Sequence, residues 1–160
     1  MIANMLKNLT VLPILLIVAA MAGCDVKNEP LPLKGSPLVG IWEAEKRFEE
    51  QGLLQVQRMY VEFTDEGYVA FQRVNCWTET AKESRQWTMK NFHIDFMPVI
   101  KLTKVKLKAQ WMPFTPKVEM KLDSWPVDKE GVTTMTIDGM ELVAKDKASD
   151  RSQWICENME

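Results

Sequence analysis

The chain has 160 residues, 20 Lys and Arg against 22 Asp and Glu, a formal net charge of −2 and a hydrophobic fraction of 46%. That suits one domain with a real core, and nothing in the charge balance points to a nucleic-acid partner. Six Trp residues supply large aromatic area for that core.

The N-terminus reads as an export signal. Lys7 precedes an uncharged run from Leu9 to Ala22 that is interrupted by Pro13. The run is about 14 residues, short of the roughly 20 that a membrane-spanning helix needs. It ends in Met21-Ala22-Gly23-Cys24, which resembles the bacterial lipobox, with Met21 in place of the usual Leu. The resemblance implies that residues 1–23 are a cleaved signal peptide. Cys24 then takes a diacylglycerol thioether, with palmitate-type acyl chains, and becomes the acylated N-terminus. Two or more chains make such an anchor stable where one is marginal. Asp25 resembles the residue that retains enterobacterial lipoproteins in the inner membrane. It favours that membrane, facing the periplasm, with the outer membrane as the alternative.

Removing residues 1–23 from the 160 leaves 137, with 19 basic and 22 acidic residues and a net charge of about −3. Of the three cysteines, Cys76 and Cys156 then remain. In an oxidising compartment they are expected to pair, closing a loop of about 80 residues and adding roughly 4 kcal/mol in the chain-entropy model. Two free thiols are the alternative. Residues 24–37, with Pro30, Pro32 and Pro37, read as a semi-rigid tether, and the domain spans 38–160.

Leu38 to Trp42 opens that domain as a strand. The charged stretch Glu43 to Glu50 either continues it or forms a short helix, and Gln51-Gly52 turns. Leu53 to Phe63 and Tyr68 to Trp77 alternate with period two around the turn Thr64-Asp65-Glu66-Gly67, the clearest hairpin in the chain. After a polar connection at Ala81 to Arg85, Gln86 to Met89 and His93 to Met97 are two further strand candidates. Lys101 to Gln110 alternates basic and apolar positions, Pro113 and Pro116 bound a loop, and Lys117 to Leu122 alternates again. Pro126 to Gly131 reads as a turn. Val132 to Ile137 and Met140 to Ala144 flank Asp138-Gly139, a strong hairpin signal. Lys145 to Asp150 is a polar loop, and Ser152 to Cys156 a last strand. Eight to ten short strands without a helical period indicate an all-β, antiparallel small barrel or sandwich.

Gly40-Ile41-Trp42, at the start of the first strand, resembles the Gly-x-Trp of the lipocalin-like families. The resemblance implies an antiparallel barrel of about eight strands. Trp42 would plug one end, Arg151 near the last strand would pack over it, and the interior would hold one small apolar ligand.

Catalytic chemistry finds little support. His93 is the sole histidine, no Gly-x-Ser-x-Gly surrounds a serine, and there is no phosphate-binding glycine loop or metal-ligand cluster. Glu49-Glu50 and Asp65-Glu66 read as solvated surface and turn residues. No enzyme activity, cofactor or metal is expected. Lys101, Lys104, Lys106, Lys108, Lys117 and Lys121 read as the solvated side of an edge strand, with anionic headgroups or an acidic protein as the alternative. The expected function is non-enzymatic binding of a small apolar or lipid-like ligand at the membrane. The alternative is a protein-binding envelope accessory or inhibitor, anchored through Trp111, Met112 and Phe114 in their Pro-bounded loop.

Overall fold

A computed structural model of the chain describes residues 27–79 and 87–156. They form one closed antiparallel barrel of eight strands in sequential order: β1 (Gly40–Glu50), β2 (Leu53–Phe63), β3 (Tyr68–Glu79), β4 (Thr88–Leu102), β5 (Lys106–Ala109), β6 (Val118–Lys129), β7 (Val132–Ile137) and β8 (Met140–Lys145). Closure comes from a short ladder, Ile41–Glu43 against Val143–Lys145. No described helix is long and apolar enough to cross a membrane. The signal residues 1–23, with Cys24 and Asp25, lie outside the described residues.

The sequence periods translate into pleat. Val69 and Phe71 on β3, and Met59, Val61 and Phe63 on β2, face inward with Trp42, Val99, Leu107, Met120, Met135, Ile137 and Leu142. The opposite face of the same strands is also apolar. Val56, Tyr60, Ala70, Val74 and Cys76 form a second cluster with Trp154 and Cys156 on the outside of the barrel. A polar outer face would have needed no cover. This one is covered by the C-terminal segment, which the Cys76–Cys156 disulfide pins down with a Cα separation of 5.6 Å.

Several elements differ from the sequence expectation. Glu43 to Glu50 continues β1 as strand, its Glu45 hydrogen-bonded by Arg47 at 2.8 Å and Arg58 at 2.7 Å. Thr88–Met89 and His93–Met97 are not parts of two strands, because β4 runs unbroken for 15 residues; Gln86 and the connection Ala81 to Arg85 lie outside the described residues. Lys101–Gln110 is not one strand. Thr103 caps a turn through its hydroxyl to Lys106, leaving β5 with four residues. Pro126 lies within β6 rather than in a turn, at a register shift between Ser124 and Val127, where its missing N–H removes no ladder bond. Ser152–Cys156 is not a strand. The β1–β8 ladder already closes the barrel, and Arg151–Gln153 makes a 3-10 turn capped by Asp150.

Two surface readings change as well. β5 is an interior strand, paired on both sides, so the lysines do not guard an edge. Lys106, Lys108 and Lys117 instead converge on Glu119 at 3.1, 2.9 and 3.5 Å. Residues 28–37 are not a free spacer. The Leu31 N–H donates to the Val99 carbonyl at 2.7 Å and that of Leu33 to Asp65 at 3.0 Å, and the Leu33 side chain is buried. This strap crosses the β2–β3 turn so closely that a methyl group on Gly67 would overlap the Leu31 carbonyl.

Candidate functional site at the barrel mouth

The interior has two zones. In the lower one Leu38, Trp42, Phe63, Val99, Leu107 and Leu142 pack into a filled core. Trp42 is buried there, its indole N–H donating to the Leu38 carbonyl at 2.8 Å. Gly40, at φ 134°, provides the bend into β1 that a side chain disfavours.

The upper zone exists because the strands differ in length. β1 to β4 have 11 to 15 residues, while β5, β7 and β8 have four to six. The long strands therefore rise beyond the closed ring. Their inward positions become polar as they do so: β3 reads Val69, Phe71, Arg73, Asn75, and the partners of the last two are Phe92 and Lys90 on β4.

Here lies a cavity of about 470 Å³. Its apolar wall is Phe71, Phe92, Val118 and Met120, its polar wall is Arg73, Asn75 and Lys90, and Lys117, Glu119 and Asp138 complete the lining. Phe71 and Phe92 meet edge to face with centroids 5.8 Å apart. The acids are already engaged. Hydrogen bonds from Lys108 and Lys106 pull Glu119 down to a pKa of about 2, and Asp138 accepts the Lys121 N–H at 2.9 Å. Arg73 Nε and Asn75 Oδ1, by contrast, are buried with no hydrogen-bond partner among the described residues. A buried donor without a partner costs about 1–3 kcal/mol, and the cationic side chain of Arg73 on the cavity lining favours an anionic group there.

Arg151 does not close over Trp42. Its guanidinium stacks on Tyr60 at 3.9 Å, and Tyr60 faces outward while Trp42 faces in. Arg58 lies 5.9 Å over Trp154, and the buried Glu43 accepts hydrogen bonds from the backbone and hydroxyl of Ser149. Burial, aided by the hydrogen bond to Glu62, raises the Tyr60 phenol well above its ordinary pKa. These contacts fasten the C-terminal segment to the outer cluster, which makes Arg151 a clamp on the outside of the barrel.

The other expected residues are dispersed. His93 is an exposed partner of Asp95 at 2.9 Å. Glu49, Glu50, Asp65 and Glu66 are all exposed. Among the described residues no three His, Cys, Asp or Glu gather in metal-binding geometry. Trp111, Met112 and Phe114 are exposed together in the β5–β6 loop. Arg73, Asn75, Lys90 and Phe92 were not singled out from the sequence, although Arg73 and Asn75 carry the inward parity of Val69 and Phe71. Comparison with protein-family models, with curated proteins and with solved structures found no match for this chain.

Proposed function

We propose that this protein is a lipid-anchored, periplasm-facing binding protein, held through Cys24 in the inner membrane, that takes a small amphiphilic acid in the barrel mouth. The lipobox supports the anchor and Asp25 the choice of membrane. The single observation carrying the ligand class is the unpartnered Arg73 Nε on the wall of a 470 Å³ cavity that is otherwise half aromatic and aliphatic. An acyl or ring system would lie against Phe71, Phe92 and Met120. Its acidic group would meet Arg73 and Lys90, with Asn75 accepting from a protonated oxygen or hydroxyl. The filled lower core confines the ligand to the mouth.

The test is binding of dodecanoate to the exported protein, measured by displacement of 1-anilinonaphthalene-8-sulfonate and by native mass spectrometry. A charge-assisted hydrogen bond contributes about 1.5–3 kcal/mol. Arg73→Met is therefore expected to weaken dodecanoate by about 10- to 100-fold. Equal affinity of the wild type and Arg73→Met, or no binding of either probe, would refute the assignment.

A further inference from the structure

The end of the barrel crossed by the N-terminal strap carries an unusual set of exposed apolar side chains. Phe114 is fully solvent-exposed, at 102%, and Leu31, Phe96, Trp111 and Met112 are each near 40%. Phe96 and Trp111 share an apolar groove of about 350 Å³ with Tyr68, Thr64 and Glu66. Phe114 does not hang on a loose loop. The Thr115 hydroxyl accepts from the Met112 N–H at 3.1 Å and donates to the Met112 carbonyl at 2.9 Å, while the Gln110 amide donates to the Pro113 carbonyl at 3.1 Å. A pre-ordered loop thus holds a bare phenyl ring in water, which is unfavourable unless something covers it.

The chain itself says what is near. The Asn28 N–H donates to the Trp111 carbonyl at 2.9 Å and its side-chain amide to Gln110 at 3.0 Å. Cys24 lies four positions before Asn28, and an extended chain reaches at most about 3.6 Å per residue. An acylated Cys24 is therefore within about 14 Å of Asn28, which is itself bonded to the Trp111 carbonyl. We propose that this surface is the face on which the protein rests on its own bilayer, with Phe114 and Met112 entering the headgroup–acyl boundary and Trp111 and Tyr68 at headgroup level. The proposal rests on acylation of Cys24. Loop residues 110–117 contain no acid, and the exposed Lys27 precedes the Asn28 that bonds to them, which suits anionic headgroups. Glu29 and Glu66 are exposed beside this face, Glu66 on the wall of the groove. The anchor holds the protein at the membrane, and this face fixes its orientation there.

The test uses the full chain, processed in bacteria and reconstituted into phosphatidylethanolamine–phosphatidylglycerol vesicles. With Cys24 acylated and Cys76 bonded to Cys156, an introduced cysteine is the one free thiol. A fluorophore on Met112→Cys is expected to be quenched by brominated lipid several-fold more than one on Glu50→Cys, at the opposite end of the β1–β2 ladder from the Thr64–Gly67 turn. Adding Phe114→Asp should reduce that quenching. Four results overturn the proposal. Equal exposure of both sites to aqueous iodide, with intact mass showing a diacylated Cys24, removes this inference alone. An unmodified Cys24 removes the anchor and this face together. Unchanged quenching with Phe114→Asp removes insertion of the loop. Shielding in whole envelopes but not in vesicles identifies a protein partner in place of lipid.

Discussion

Gly67→Ala separates the strap from the barrel it crosses. Gly67 has φ 92°, and its added methyl would overlap the Leu31 carbonyl; Gly131 has φ 85° with open space around it. The same substitution at the two sites therefore shares the backbone strain, about 1 kcal/mol, and differs in the clash. At Gly67 the strap must lift. Four hydrogen bonds from Asn28, Leu31 and Leu33 hold it, at about 1 kcal/mol each. Burial of Leu33 adds about 2 kcal/mol. Ordering the four non-proline residues of the docked stretch 28–33 costs about 4 kcal/mol at about 1 kcal/mol each, the two prolines being already restricted. The strap's net docking energy is thus about 2 kcal/mol, so Gly67→Ala should cost about 3 kcal/mol and Gly131→Ala about 1. Urea denaturation of the two variants measures the difference, and limited proteolysis should show new cleavage between residues 28 and 36 only in Gly67→Ala. Equal losses of stability, with the strap still protected, would refute the claim that close approach at Gly67 holds it.

Non-reducing mass mapping should find Cys76 joined to Cys156, and Cys156→Ala should cost about 4 kcal/mol, with hydrogen exchange first rising across Asp146–Cys156 while the β1–β8 ladder stays protected. The Glu119 carboxyl should titrate by NMR near 2 rather than at the ordinary 4.5. Because its folded pKa is depressed, its contribution to stability is present above about 4.5 and lost as pH falls towards 2. Lys108→Ala with Lys106→Ala should return the titration towards the ordinary carboxylate range.

Local chemistry determined most of the strand inventory. Period-two alternation marked β2, β3, β7 and β8, Asp138-Gly139 and Thr64 to Gly67 marked their turns, and the two cysteines left outside the signal-like N-terminus marked the disulfide. These features depend on neighbours in sequence, so one sequence suffices to read them. What escaped depends on which strand meets which. Pro126 stays in β6 because the ladder lapses there, a property of the partner strand. Arg151 sits on Tyr60 rather than Trp42 because the C-terminal segment lands on the outer face of β2 and β3, whose alternate residues are apolar on both sides. The mouth is the clearest case. Arg73 follows Val69 and Phe71 on the inward parity, yet only the shortness of β5, β7 and β8 leaves it facing a cavity instead of a closed core. Strand length on one side of a barrel decides the environment of residues on the other, and no local pattern carries that information.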